Sequence, residues 1–290
     1  MSAENIYTNT GNFFSRCIHT LASLMKIVLR SKFGVRLPVA SSESCIVLGN
    51  GPSLKTSLTN HLPVLEKSTL FCVNSFSITQ EYSSLKPQYY VILDFGFWMS
   101  DEKIILDTIE ALKTKTSWKM QLFIPRMASK SKRFKELCEA NKNIELNYFN
   151  YTVFKGFSVI GNFFYKNNLA MPQSQNVLVA TIFLAVNCNF KKITVVGADH
   201  TWHENMHLDE NNMLCLKHVH FYDNEERVTH IPFKKGIHLS ETFKVHEIFA
   251  TWAKTFYGYI ALENYSKYKN CKIINASEVS FIDAFERKKL

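Results

Sequence analysis

Six short apolar runs, separated by stretches of helical length, constrain this chain more than any other feature. They are Cys45–Gly49, Thr69–Asn74, Tyr89–Asp94, Met120–Ile124, Ile193–Gly197 and Lys272–Asn275. Each is continuously apolar rather than alternating, the pattern of parallel strands covered on both faces. Helical patterns fill the gaps at Leu54–Glu66, Asp101–Leu112, Lys130–Asn141, Val177–Asn187 and Ser240–Lys267. In the last, Phe249, Trp252, Phe256, Tyr259 and Ile260 recur at three- and four-residue spacing and predict a buried stripe. Strand and helix in alternation predict an α/β protein with a doubly wound, mostly parallel, Rossmann-like sheet. At 290 residues and 46% hydrophobic, the chain is long enough to bury such a core.

The first apolar run breaks into Gly49-Asn50-Gly51-Pro52-Ser53 directly ahead of a helical pattern. Two glycines allow a tight turn and a close backbone approach, and the helix start offers unpaired N–H groups to a phosphate. The motif is neither a dinucleotide fingerprint nor a P-loop. A plain strand-to-helix turn capped by Ser53 accounts for the same residues. Other strand ends converge on this turn. Asn74 and Asp94 close the second and third runs, and Asp199 follows Gly197-Ala198. In open α/β sheets the carboxyl ends of strands line the ligand crevice, so these polar residues are candidates for it.

Two segments stand apart from the alternating body. In residues 1–43, Phe14, Ile18, Leu21, Met25 and Val28 share one side of a helical wheel, with Arg16, His19, Ser23, Lys26 and Arg30 opposite. This is a basic amphipathic helix, too short in its apolar part to span a bilayer. It suits either an anionic membrane surface or the protein's own core. The catalytic body is expected over 44–290, with a polar insertion at about 200–239 of the kind that forms lids. That insertion holds seven of the ten histidines. His200, His203 and His207 with nearby carboxylates raise a metal reading, but their spacing is not that of a zinc site.

The Gly49–Lys55 run, Asn74, Gln175-Asn176 ahead of a helix and Gly197-Ala198-Asp199 resemble the bacterial lipo-oligosaccharide sialyltransferases. They also resemble a broader group of cell-surface polysaccharide proteins described as 6-hydroxymethylpterin diphosphokinase-like, which the ending Ile273–Ser277 to Phe281–Phe285 resembles more closely. The first resemblance implies a GT-A variant of the Rossmann-like fold with a lid, and inverting, metal-independent transfer from a cytidine-monophosphate sugar. It implies that Asn50, Gly51 and Ser53 line the donor phosphate and ribose, with Asn74 nearby; Gly49 of the turn and the strand-end residues Asp94, Gly197 and Asp199 complete the candidate donor site. Gln175 and Asn176 stand where those enzymes carry a Ser-Gly pair against the nucleotide.

The same resemblance implies a lid histidine as general base. Ile237-His238-Leu239-Ser240, ahead of the long helix, matches best, with His200, His203 and His220 as rivals. Imidazole suits this role because its ordinary pKa is close to working pH. Tyr222, Lys234 and Lys235 are further lid residues able to help a phosphate leave. The second resemblance implies ATP-dependent phosphoryl transfer, with Asp94 and Asp199 holding Mg²⁺.

A net charge of +9 fits anionic partners. A nucleotide-sugar donor, a glycan or glycolipid acceptor and an anionic membrane surface all meet that description. The basic cluster Arg126, Lys130, Lys132, Arg133 and Lys135 lacks the interleaved aromatics of a nucleic-acid motif, so nucleic acid is not expected. No protein cofactor is expected, a divalent ion carried by donor phosphates remaining compatible. Seven cysteines without a CxxC pair, several in apolar runs, suit a reducing, cytoplasmic setting, with attachment at the inner membrane face. Self-association is left open.

Overall fold

The computed structural model describes residues 3–217, 221, 230–235 and 241–290, with side chains from residue 12 onward. Helix α1 (Ala3–Arg30) precedes β1 (Ser44–Leu48), α2 (Leu54–Glu66), β2 (Leu70–Val73), α3 (Tyr82–Leu85), β3 (Tyr89–Val91), α4 (Gly96–Met99) and α5 (Lys103–Lys115). Then follow β4 (Met120–Pro125), α6 (Arg133–Ala140), β5 (Ile144–Phe149), α7 (Ser158–Lys166), α8 (Val177–Asn187) and β6 (Lys192–Val196). The insertion contributes β7 (Met206–Leu208), β8 (Leu214–Leu216) and β9 (Ile231–Pro232). The chain closes with α9 (Val245–Tyr268), β10 (Lys272–Asn275) and β11 (Glu286–Arg287).

Eight strands form one sheet in the order β11-β10-β6-β1-β2-β3-β4-β5, and every pairing is parallel. This is the α/β, Rossmann-like architecture expected from the apolar runs. The chain winds outward from β1 to β5, then crosses back to lay β6 on the other side of β1. The carboxyl ends of β1 and β6 therefore flank the topological switch point, where such sheets open a crevice.

Side chains of one strand alternate between two cores. Val47, Phe71 and Val195 face α8 and α9 with Phe183, Tyr259 and Tyr265, while Leu48, Cys72 and Val196 face α2 and α5 with Leu54, Leu58 and Leu112. Helix α8 is buried almost all round, which its continuous Val177–Val186 apolar run requires. In α9 the buried stripe runs through Ile248, Trp252, Thr255, Gly258, Tyr259 and Leu262. Phe249 and Ile260, expected on that stripe, are about half exposed, because the face that carries Gly258 meets Val179 of α8 instead.

Strands β7, β8 and β9 pair antiparallel as a separate small sheet within the insertion. Leu214 and Trp202 pack there with Ile248 and Trp252 of α9. Five of the seven cysteines are buried and all are free thiols, burial raising their pKa values where a shift is resolved. Among the described residues no helix is long and apolar enough to cross a membrane.

Candidate functional site at the switch point

The turn after β1 is built against the end of β6. Gly49 N–H donates to the Val196 carbonyl at 2.8 Å and Gly51 N–H to the Gly197 carbonyl at 2.9 Å. A Cβ on Gly49 would meet the Gly197 oxygen at 2.3 Å, and Gly197 itself has φ +66. Glycine is required at both places by sterics, whatever binds nearby. Ser53 does not cap α2 with its hydroxyl. Its backbone N–H and its Oγ both donate to Asp199, the N–H at 2.8 Å to Oδ2. Burial raises the Asp199 pKa, and the two Ser53 bonds partly offset that. The carboxylate thus sits at the start of α2, where a helix N-terminus favours negative charge.

Asn50, Asn74, Gly197, Asp199, Asn176 and His200 line one cleft enclosing about 780 Å³, part of it open to solvent. Asn50 Oδ1 and Asn74 Oδ1 are both buried without a hydrogen-bond partner. Asn74 is also held in the left-handed region, at φ 45, and its carbonyl accepts from Tyr90 Oη. Leaving a buried acceptor unpaired costs about 1–3 kcal/mol, so two on residues lining one cleft mark a place where a donor-bearing ligand or water belongs.

On the opposite wall, Asn176 caps α8, its Oδ1 accepting the Val179 N–H at 3.0 Å. That bond fixes the amide, and its Nδ2 donates to His200 Nε2 at 2.8 Å. An imidazole nitrogen that accepts has no proton, so the neutral His200 ring carries its proton on Nδ1. Tyr259 Oη lies 2.7 Å from the same Nε2. Burial lowers the His200 pKa to about 3. His200 is therefore a neutral, oriented wall residue and a weak base near neutrality.

Other sequence candidates lie elsewhere. Asp94 is exposed and bonds the Gly96 N–H at 2.8 Å, shaping the start of α4 outside the cleft lining. Gln175 is exposed and outside the lining too. His203 lies against Phe281, with ring centroids 4.5 Å apart and the planes tilted by 44°. Lys235 bonds Glu241 and Glu247 at 2.6 and 2.7 Å and ties down the entry to α9, while Lys234 is exposed. His220, Tyr222 and His238 lie outside the described residues. Among the described residues no group of three or more His, Cys, Asp or Glu could hold a metal ion.

Sequence reasoning missed Lys217 and Trp202, which line the cleft from the insertion, and Tyr259, which orients His200 from α9. The insertion is tied to the turn itself, Phe221 N–H donating to the Asn50 carbonyl at 3.2 Å. The insertion's weak periodicity gave no sign of where Lys217 faces. Tyr259 was visible only as one member of an aromatic stripe.

Fold and cleft together define a Rossmann-like α/β protein with a polar crevice at its switch point. The chain belongs to the MptE-like family, described as 6-hydroxymethylpterin diphosphokinase MptE-like, whose sequence model matches residues 15–205. Among solved structures, the MAf glycosyltransferase from Magnetospirillum magneticum AMB-1 is similar, with a TM-score of 0.50 and 12% identity. The match covers 95% of this chain and 38% of that one, so this chain spans well under half of the larger protein. At that identity the likeness is one of fold. No curated protein matches the sequence.

Proposed function

We propose that the protein is a glycosyltransferase that binds a nucleotide-activated sugar in the switch-point cleft and passes the sugar to a glycan or glycolipid acceptor. The observation that carries this reading is the pair of unpartnered carboxamide oxygens, Asn50 Oδ1 and Asn74 Oδ1, in one cleft with the Lys217 ammonium. Hydroxyls or amino groups of a nucleoside satisfy the two acceptors, and a phosphate suits the cation. The similar fold of a protein named a glycosyltransferase supports it. The finer reading is a cytidine-monophosphate-linked, sialic-acid-like donor, supported by the likeness of the Gly49–Ser53 turn to the sialyltransferases.

In the proposed reaction, a lid histidine takes the proton of an acceptor hydroxyl, and the freed oxygen attacks the anomeric carbon with inversion. The nucleotide phosphate departs carrying the bond's electron pair, beside Lys217. We assign the base to His238 on the likeness of Ile237–Ser240 to the sialyltransferase lid; the buried His200 is too weakly basic to compete with it. The family's description favours a second reading, ATP-dependent phosphoryl transfer. That reading asks Asp94 and Asp199 to share a metal, whereas Asp94 is outside the cleft lining and Asp199 is bonded to Ser53.

Thermal stabilisation by cytidine, uridine, guanosine and adenosine nucleotides, each with and without Mg²⁺, separates the two, because a ligand of the native state raises its stability. Metal-independent stabilisation by cytidine monophosphate, abolished in Asn50→Ala, is the expected result. Stabilisation by ATP only with Mg²⁺ overturns it in favour of phosphoryl transfer. Undiminished turnover in His238→Ala overturns the base assignment alone.

A further inference from the structure

Helix α1 is seated with its apolar side outward. It rests on the body through Thr20, Ser23 and Ile27, all buried. Ser23 Oγ donates to the Lys155 carbonyl at 3.0 Å and accepts the Lys155 N–H at 2.9 Å. Thr20 Oγ1 accepts the Phe157 N–H at 3.2 Å. Gly156 allows the approach, since a Cβ there would meet Thr20 Oγ1 at 2.1 Å. With this narrow stripe inward, Phe14, Ile18, Leu21, Met25 and Val28 are each between 61% and 70% exposed. A helix serving only its own core turns such a face inward.

The surroundings indicate what covers this face. Phe13 meets Phe157 at the start of α7, ring centroids 5.6 Å apart, and α7 exposes Val159 and Phe163. Arg16, Lys26, Arg30, Lys32 and Arg36 are all exposed, and Glu4 is the only acidic residue before Glu43. Lys155 lies within electrostatic reach of Lys26 and Lys254, and its pKa is lowered by burial and by those two charges. Lys155 and Lys254 also line a cleft with Phe154, Tyr165, Tyr257 and Ala261. An uncovered apolar stripe beside unbalanced positive charge is complementary to a surface that is apolar inside and anionic outside.

We propose that α1 seats the protein on a membrane surface rich in anionic lipid, with Ile18, Leu21, Met25 and Val28 entering the headgroup–acyl boundary. Lys26, Arg30, Lys155 and Lys254 then face lipid phosphates. The inference is independent of what the switch-point cleft binds.

Co-sedimentation of the full chain with vesicles of phosphatidylcholine, with and without phosphatidylglycerol, tests it. The chain pellets with the anionic vesicles at low salt and only weakly with the neutral ones. Ile18→Ser with Met25→Ser, both in exposed positions, lowers partitioning about tenfold or more while leaving the thermal melt unchanged. Lys26→Gln with Arg30→Gln lowers it about fivefold per charge. Failure to pellet with anionic vesicles, or equal partitioning of the apolar variant, overturns the proposal. So does a dimer in sedimentation velocity that the apolar variant dissociates, since the face then belongs to a second copy.

Discussion

Asn74 combines two local costs, a left-handed backbone and a buried carboxamide oxygen with no partner. Asparagine tolerates the left-handed region through its short polar side chain, glycine tolerates it freely, and alanine does not. In the apo protein Asn74→Ala is therefore expected to be about 1–2 kcal/mol less stable than Asn74→Gly. Asn74→Gly sheds both costs and is expected to melt above the wild type in the apo state. Both variants lose the ligand-induced rise in melting temperature, so calorimetry with and without nucleotide separates backbone strain from recognition. His200 makes a prediction about pH. Its native pKa, about 3, is far below its ordinary 6.5, so as pH falls below 6.5 the unfolded chain takes a proton that the native state refuses. The group's contribution is present above 6.5 and is lost at roughly 1.4 kcal/mol per pH unit toward the folded pKa. His200→Asn, which also tolerates the left-handed φ of 57, is expected to melt lower at neutral pH. Its melting temperature falls less between pH 6.5 and about 5.

At the scale of elements, the contact between α8 and α9 connects packing to the cleft. A Cβ on Gly258 would meet the Gln173 carbonyl at 2.3 Å, so Gly258→Ala forces α9 away and costs about 1–3 kcal/mol. Tyr259 is the next residue, and the same substitution is expected to weaken ligand binding by disturbing the bond to His200. A lowered melting temperature with unaltered ligand affinity would disconnect the two. The six apolar runs of the sequence became the six inner strands, and helices Leu54–Glu66 and Val177–Asn187 have the expected bounds. Edge strand β5 escaped notice because Ile144–Phe149 is mostly half-exposed and mixes polar with apolar residues. Helix α7, with Val159 and Phe163 in solvent, carried no core-facing stripe to read. The site was legible as a set of strand ends. Their position was readable, but not the direction of each side chain: Asn50, Asn74, Asn176 and His200 converge, while Asp94 and Gln175 turn away.

At the scale of the whole molecule, the charge of +9 acts on anything anionic that approaches. Salt screens such attraction, with a Debye length of about 10 Å at 0.1 M falling to about 3 Å at 1 M. The affinity for a nucleoside monophosphate is expected to weaken several-fold across that range, roughly as for other steered anions. The affinity for the matching uncharged nucleoside should hold. Titration calorimetry at two salt concentrations checks this, and equal salt dependence for the two would remove Lys217 as a phosphate partner. The crossing that lays β6 beside β1 has one more outcome, in time rather than space. Ser53 and Asp199 are 146 residues apart, so the inner edge of β1 stays unpaired until two-thirds of the chain has been made. Distant pairings of this kind form slowly. A nascent chain stopped before Lys192 therefore has five of the eight strands and no crevice, and the ability to bind arrives as one of the last events of folding.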